Sequence, residues 1–249
     1  YACMTPLTPG DLRLNSLLAA ADETELQQLL PHLRRKSFPQ GWVFYEPGDP
    51  IDAVYFPVEG VVSMLCVTTS GAVETATIGR EGGLGLTGGL GPRQSAHRAI
   101  AQTAGMAWCA SVLDFRRVLE NAPTLRDQAT RHTEAMLAQV MQSVACNTLH
   151  PVEARLARWI LMCHDRVSSD VVPLTQAFLA QMLGVQRTTV SASAQVLQAA
   201  ADANVLSVGV DSNQNHLHPG KVLTSMVKGV DNAVYEAFKA GTAVEPARE

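Results

Sequence analysis

The segment with the clearest chemical signature runs from residue 174 to 198 and reads as two short helices joined by a tight turn. Thr175 is a natural N-cap, and Gly184 stands where the first helix must stop, at a position that favours positive φ. Val190 falls at a buried position of the second helix. A unit of this kind places its second helix in the major groove of DNA. The segment therefore predicts a helix-turn-helix, against the alternative of an ordinary helical hairpin.

The charge of this segment is low for a surface that would contact DNA. Arg187 is the only charged residue between positions 174 and 201, and no lysine or arginine follows position 201 until Lys221. The whole chain carries a formal net charge of −4. Because phosphate contacts dominate the affinity of proteins for DNA, this composition predicts weak binding or support from basic residues elsewhere.

Residues suited to catalysis or metal binding are sparse. The five cysteines are dispersed without a CxxC pair, which argues against zinc and iron–sulfur sites and is typical of reduced thiols. A metal-dependent enzyme on a small barrel would need two or three histidines and a carboxylate. The strand-rich region holds only His97, besides His32 in the preceding helix, and the pair His216 and His218 lacks an evident third ligand. We therefore predict no catalytic residues and no metal site.

The N-terminal half shows two sequence patterns, one helical and one typical of short strands. Residues 1 to about 36 read as helical, with Asp22 and Glu25 spaced as a capping box. From about residue 37 to 110, short alternating runs are separated by glycine and proline. Many short strands at regular spacing predict a β-barrel or a jelly roll.

A long helix is predicted after Pro123, extending to about Leu149, and Pro151 marks the break into the last domain. The helix carries an apolar seam made of five residues: Leu137, Val140 and Val144, with Met136 and Met141 beside them. Such a seam belongs either to a core or to a coiled-coil interface. Its position between a strand-rich domain and a helix-turn-helix favours a dimer interface over about 123–148.

Size and composition set the frame for these elements. The chain has 249 residues, of which 47% are hydrophobic and 17% charged, so extended disorder is not expected. We predict a strand-rich domain with flanking helices over 1–120, which the resemblance given below assigns to effector sensing, a dimerisation helix over 121–150 and a DNA-binding domain over 151–249. No membrane-length apolar run or signal-peptide pattern is present, which leads us to expect a cytoplasmic protein.

This order of elements resembles the Crp/Fnr family of bacterial transcription regulators. The resemblance is carried by five stretches: 48–49, 54–60, 83–86 together with 94–96, 150–159, and 174–197. It implies an α+β fold with an N-terminal cyclic-nucleotide-binding-like β-barrel or jelly roll, a long dimerisation helix and a C-terminal winged helix-turn-helix. It further implies a homodimer that binds a small-molecule effector and roughly palindromic double-stranded DNA, with RNA polymerase as a candidate partner.

The resemblance places the effector site in the family's phosphate-binding cassette. The corresponding residues here are Gly83, Leu84, Gly85, Arg93, Gln94, Ser95 and Ala96. In cyclic-AMP-binding members, a glutamate for the ribose and an arginine for the phosphate stand where Gly83 and Gln94 stand here. These departures argue against cyclic AMP, and the sequence names no other effector. The glycine-rich loop could present backbone N–H groups to an anion, or its glycines could simply shape turns.

The resemblance also places the residues that would read DNA. They are Gln176, Arg187, Thr188, Thr189, Ser191 and Gln195. Arg187 matches a position that reads guanine in the major groove, and Thr189 matches a hydroxyl that meets phosphate. The low positive charge keeps a second interpretation open, a dimeric ligand-binding or partner-binding protein with weak or lost DNA affinity.

Overall fold

A computed structural model describes residues 7–91, 94–167 and 175–193. An N-terminal β-domain with flanking helices is followed by one long helix and then by shorter helices. The helices in chain order are α1 (Pro9–Leu12), α2 (Ser16–Ala19), α3 (Glu23–Leu29), α4 (Leu86–Leu90), α5 (Val112–Glu120), α6 (Pro123–Leu149), α7 (Val152–His164) and α8 (Gln176–Leu183). A 3₁₀ turn covers Leu30–His32, and residues 187–193 form a further helix, here called α9. This mixture of helix and sheet confirms the predicted α+β fold.

The β-domain consists of two antiparallel sheets. The strands are β1 (Arg34–Phe38), β2 (Val43–Tyr45), β3 (Ala53–Glu59), β4 (Val62–Thr68), β5 (Gly71–Ile78), β6 (Arg98–Ala101) and β7 (Gly105–Ser111). One sheet has the order β1-β7-β3 and the other β2-β6-β4-β5. Side chains from both sheets meet in a shared apolar cluster around Phe38, Ala101 and Ala107. Of the two predicted alternatives, the jelly roll describes this arrangement, because the sheets do not close into one barrel.

The first strand corrects a sequence prediction. The sequence pattern extends the N-terminal helical region to about residue 36, but residues 34–36 begin β1, which pairs along its whole length with β7. The guanidinium of Arg35 lies 5.5 Å from the ring centre of Trp108, and the ammonium of Lys36 lies 4.7 Å from that of Trp42. Pairing with a strand far away in sequence and these cation–π contacts outweigh the local helical preference of the charged run.

The predicted capping box is only half correct. Asp22 is the N-cap of α3, and its carboxylate accepts a hydrogen bond from the backbone N–H of Thr24 (2.8 Å). Glu25, by contrast, turns away from α3. Its carboxylate accepts from the backbone N–H of Thr124 (3.0 Å), from the hydroxyl of Thr124 (2.6 Å) and from the N–H of Leu125 (2.8 Å). Glu25 therefore satisfies free donors at the start of α6 and ties that helix to the N-terminal helices.

Helix α6 has the bounds that the sequence predicts, and it leaves an apolar stripe uncovered. Leu137, Met141 and Val144 are 56%, 63% and 60% exposed. They follow one another in steps of four and three residues, the spacing of a coiled-coil seam. Met136 points the other way, toward the β-domain, where it packs against a buried cluster.

The last helices dock onto the β-domain. The inner face of α7 is buried and consists of Leu156, Trp159, Ile160 and Cys163. These residues share one hydrophobic cluster with residues of α8 and with Leu65 of β4. The helix-turn-helix region is therefore held against the four-stranded sheet rather than separated from it.

Candidate effector cavity and nucleic-acid interface

A cavity lies between the four-stranded sheet, the glycine-rich loop before α4 and one face of α6. Its empty volume is about 440 Å³, part of it open to solvent. The wall is mainly apolar, and its larger side chains are Tyr45, Ile51, Met64, Ile78, Leu84, Leu86 and Met136. Concave, mostly apolar surfaces with a few polar groups are where proteins usually bind small molecules. This cavity is therefore the candidate effector site.

The structure brings part of the predicted effector set together. Four of the seven residues line the cavity, namely Gly83, Leu84, Gly85 and Ser95. Gln94 and Ala96 are exposed and lie outside the cavity wall, and Gln94 forms an isolated β-bridge with Pro50. Arg93 lies outside the described residues. The cassette thus contributes mainly backbone and small residues to the cavity.

Helix α6 supplies wall residues that the sequence analysis missed. His132, Thr133 and Met136 all line the cavity. The Nε2 atom of His132 lies 3.1 Å from the carbonyl oxygen of Gly83, and a Cβ added at Gly82 would collide with the Cε1 atom of His132. The glycine at position 82 therefore makes room for the imidazole. The four-residue spacing of His132 and Met136 places both on one helix face, a signal that could have identified them.

The polar groups of the cavity carry little charge. The hydroxyl of Ser95 donates a hydrogen bond to the carbonyl of His97 (2.7 Å), so its proton is not free to bond a ligand. The Nε2 atom of His97 is buried and makes no hydrogen bond to any described residue. Burial lowers the pKa of both His97 and His132, which favours the neutral imidazole near pH 7.

The interface between the β-domain and α7 contains a buried carboxylate that the sequence did not reveal. Glu74 on β5 accepts a hydrogen bond from the indole N–H of Trp159 (2.7 Å), whereas its second oxygen is buried without a partner among the described residues. Burial raises the pKa of Glu74 to about 7, although its hydrogen bonds and the charges of Arg166 and Arg158 act in the opposite direction. A group with this pKa changes its protonation near neutral pH.

Two more side-chain pairs cross the same interface. The amide of Gln102, just after β6, lies 2.6 Å from the sulfur of Cys163 on α7, and burial raises the pKa of that thiol. Arg166, just after α7, forms an ion pair of 2.7 Å with Glu81 beside the glycine-rich loop. These contacts connect the cassette region directly to the helical domain.

The helix-turn-helix has the local geometry that its sequence predicts. The side chain of Thr175 accepts a hydrogen bond from the backbone N–H of Phe178 (3.2 Å) and caps α8. Gly184 ends α8 in the left-handed conformation with φ of 64°. Val190 on α9 is fully buried, as predicted, whereas Val196 and Leu197 lie outside the described residues.

Five of the six predicted DNA-reading residues fall in the described range, on α8 and α9: Gln176, Arg187, Thr188, Thr189 and Ser191. Arg187 and Thr188 are exposed, so their side chains are available to a partner. Ser191 donates a hydrogen bond to the side-chain oxygen of Gln176 (2.8 Å), which ties α9 to α8. Gln195 lies outside the described residues.

The histidine, cysteine and acidic residues are dispersed through the fold. Within residues 7–91, 94–167 and 175–193, no cluster of three or more of these side chains is arranged to hold a metal ion. The cysteines in this part of the chain, Cys66, Cys109, Cys146 and Cys163, are free thiols. No helix in the same ranges is both long enough and apolar enough to cross a membrane.

Two family models match the sequence over the regions that form these sites. Residues 35–122 match the cyclic nucleotide-binding domain, and residues 154–201 match the Crp-like helix-turn-helix domain. The first match includes most of the cavity wall, and the second includes α8 and α9. A search of curated proteins found no match.

Solved structures share the same architecture. CLP of Xanthomonas campestris, described as a c-di-GMP-responsive global regulator, is 17% identical, with a TM-score of 0.61 over 77% of this chain and 97% of its own. FixK2 from Bradyrhizobium japonicum is 21% identical, with a TM-score of 0.54 over 75% of this chain and 96% of its own. A CRP-family regulator from Thermus thermophilus is 17% identical, with a TM-score of 0.54 over 66% and 84%.

At these identities the structural likeness establishes the fold, and the two family models identify the type of each domain. A cyclic nucleotide-binding domain joined by a long helix to a Crp-like helix-turn-helix is the domain combination that defines one group of regulators. The chain belongs to the Crp/Fnr family of transcription regulators.

Proposed function

We propose that this regulator responds to a small-molecule effector and binds a roughly palindromic operator as a homodimer. The observation that carries the proposal is that one helix, α6, connects the cavity, the exposed apolar stripe and the helices of the helix-turn-helix domain. His132, Thr133 and Met136 of α6 line the cavity, its apolar stripe at Leu137, Met141 and Val144 is exposed, and its end is followed by α7. A ligand that contacts α6 could therefore bias the placement of the DNA-binding helices.

The dimer proposal depends on the apolar stripe at Leu137, Met141 and Val144. Two copies packed along this stripe would cover side chains that a single chain leaves in water. Substituting Leu137 with Glu should convert the dimer to a monomer, measured by sedimentation equilibrium. Ala135→Glu introduces the same side chain at an exposed position of α6 outside the stripe and is the matched control. A dimer that survives Leu137→Glu would contradict this interface.

The DNA proposal depends on the exposed face of α9. In a dimer, two such helices would enter successive major grooves roughly 34 Å apart. Selection of bound fragments from a random duplex library should recover a two-fold motif, and Arg187→Ala should relax the preference at one base in each half-site. Affinity for the selected site should fall about tenfold or more, as expected for a lost contact to guanine. Arg117→Ala, which removes an exposed arginine from α5, is the matched control.

A second candidate function follows from charge. In residues 175–193, Arg187 is the single basic side chain, and phosphate neutralisation supplies most of the affinity for DNA. A ligand-binding or partner-binding dimer with lost DNA affinity would enrich no motif and would bind duplexes without the steep salt dependence of a regulator. A recovered two-fold motif with salt-dependent affinity would reject this alternative.

A further inference from the structure

The chemical class of the effector can be read from the charges around the cavity. Within the described part of the chain, no aspartate, glutamate, lysine or arginine side chain lines the wall. The nearby charged groups are engaged elsewhere: Arg98 bonds both carboxylate oxygens of Glu46 at 2.9 Å, and Glu81 pairs with Arg166. Arg80 is exposed and lies outside the wall. An ionised phosphate or carboxylate would lose its hydration here without gaining a counter-charge.

Several polar groups of the cassette already form hydrogen bonds within the protein. The N–H of Leu84 already donates to the carbonyl of Tyr55 (2.7 Å), and the N–H of Gly88 donates to Gly85 (3.0 Å). The Gly83 carbonyl is held by His132, and the hydroxyl of Ser95 is held by the His97 carbonyl. The N–H groups of Leu84 and Gly88 and the hydroxyl of Ser95 are thus engaged within the protein and are not free to bind an anion.

A histidine of the cavity wall carries a buried nitrogen without a hydrogen-bond partner among the described residues. The Nε2 atom of His97 is buried and unpartnered within the described residues, and His97 is one of the residues that line the cavity. A buried polar atom without a hydrogen bond is costly, so a ligand that supplies the missing partner gains affinity. The surrounding wall is mainly apolar and includes Ile51, Ile78 and Met136.

We propose that the effector is an uncharged, largely apolar molecule with a single hydrogen-bonding group that meets His97. This inference rests on the proposed role of the cavity as the effector site and adds the ligand's chemical class. The described wall offers a nucleotide phosphate or a free carboxylate no counter-charge, so we expect both to bind more weakly than an uncharged molecule. The apolar body of the molecule lies against the sheet and α6, and its amide, carbonyl or hydroxyl group lies against the imidazole.

The test uses the full-length protein and a matched pair of ligands. Octanamide and octanoate have the same chain and differ in charge, and cyclic AMP serves as the nucleotide anion. Isothermal titration calorimetry should give octanamide a dissociation constant at least tenfold below that of octanoate, with cyclic AMP weaker still. Tighter binding of octanoate or cyclic AMP, or no binding of octanamide, would overturn the proposal.

Two variants locate the binding. His97→Phe keeps the size and apolarity of the ring and should weaken octanamide binding about fivefold, the size expected for one lost hydrogen bond. Met136→Asp places a carboxylate in the wall and should abolish binding of the amide, whereas Leu113→Asp, at an exposed position on α5, should not. Unchanged octanamide binding in Met136→Asp would place the ligand elsewhere and contradict the inference.

The same ligands separate this inference from the proposed function. If octanamide binds in the cavity but no ligand changes affinity for the selected DNA, the chemical class stands and the effector role fails. If octanoate or cyclic AMP changes DNA affinity and octanamide does not, the effector role stands and the proposed class fails.

Discussion

The cavity and the interface between the β-domain and α7 both bury titratable groups, but burial shifts the pKa values in opposite directions. In the cavity, His97 and His132 lie among apolar side chains, and burial lowers the pKa of each toward the neutral ring. At the interface, Glu74 lies between β5 and Trp159, and burial raises its pKa to about 7. The histidines thus resist protonation, whereas the carboxylate favours it.

Acid consequently acts on the two regions with opposite signs. A histidine whose pKa falls on folding costs stability as the pH drops below its unfolded value. A carboxylate whose pKa rises on folding binds its proton more tightly in the native state, so lowering the pH stabilises the native state. The cavity and the docked helical domain can therefore be distinguished by substitutions that remove one titrating group at a time.

The strongest destabilisation is expected from a change in the shape of the cavity rather than in its charge. Gly85 has φ of 80°, and a Cβ there would lie 2.6 Å from the carbonyl oxygen of Ala53. Gly85→Ala should lower the free energy of unfolding by about 3 kcal/mol, since the left-handed backbone costs about 1–2 kcal/mol and the clash adds to it. Urea denaturation measures the loss.

Gly41→Ala is the matched control for this substitution. Gly41 has the same φ of 80°, but nothing lies within 4 Å of its added Cβ. It should lose only the backbone contribution, about 1 kcal/mol. Equal losses in the two variants would mean that the close approach at Gly85 does not constrain the cavity.

The second prediction concerns the carboxylate of the interface. In the wild type, the stabilisation from Glu74 is complete below the unfolded pKa of 4.5 and is lost as the pH rises through the folded value of about 7. The loss is at most about 3 kcal/mol, because each unit of pKa difference corresponds to about 1.4 kcal/mol. Glu74→Gln should remove this decline from a series of urea denaturation curves between pH 4.5 and 8.

The control for this series is Glu120→Gln, which removes an exposed carboxylate at the end of α5. A Glu74→Gln variant that declines as steeply as the control would show that another group governs the pH dependence of the interface.

A weaker effect is expected for His97 in the cavity. It tests whether the stability there falls, rather than rises, as the pH is lowered. His97→Phe should change the free energy of unfolding at pH 8 by less than about 1 kcal/mol, because the ring is neutral there and its Nε2 atom bonds no described residue. Below the ordinary imidazole pKa of 6.5, the variant should lose less stability than the wild type, since it has no imidazole to protonate. If the free energies of unfolding of the two proteins fall in parallel from pH 8 to 5, the idea that burial keeps His97 neutral is wrong.

The sequence predicted the elements whose causes are local. The cap at Thr175 and the left-handed Gly184 both use residues within a few positions of one another. The bounds of α6 followed from a proline, a long helical pattern and a second proline. The jelly roll followed from the spacing of its strands, although the choice between it and a closed barrel needed the pairing of the sheets.

The parts that could not be predicted depend on partners distant in sequence. The role of Glu25 is set by the start of α6, and the role of Glu74 is set by Trp159. The first strand depends on β7 for its hydrogen bonds. For the candidate site, the cassette residues could be located from the resemblance, but the contribution of His132 required the packing of α6 against the loop.

The close contact between Gly82 and the imidazole of His132 limits how α6 can move. The imidazole of His132 occupies the space that a side chain would take at this position, and its Nε2 atom bonds the next carbonyl along. A helix advances by about 1.5 Å per residue, so sliding α6 by a single step would drive the ring into the loop backbone or pull it free. Rotation about this point keeps the ring in place. We therefore expect that a movement of α6 that keeps this contact is a rotation about His132 rather than a shift along the helix axis.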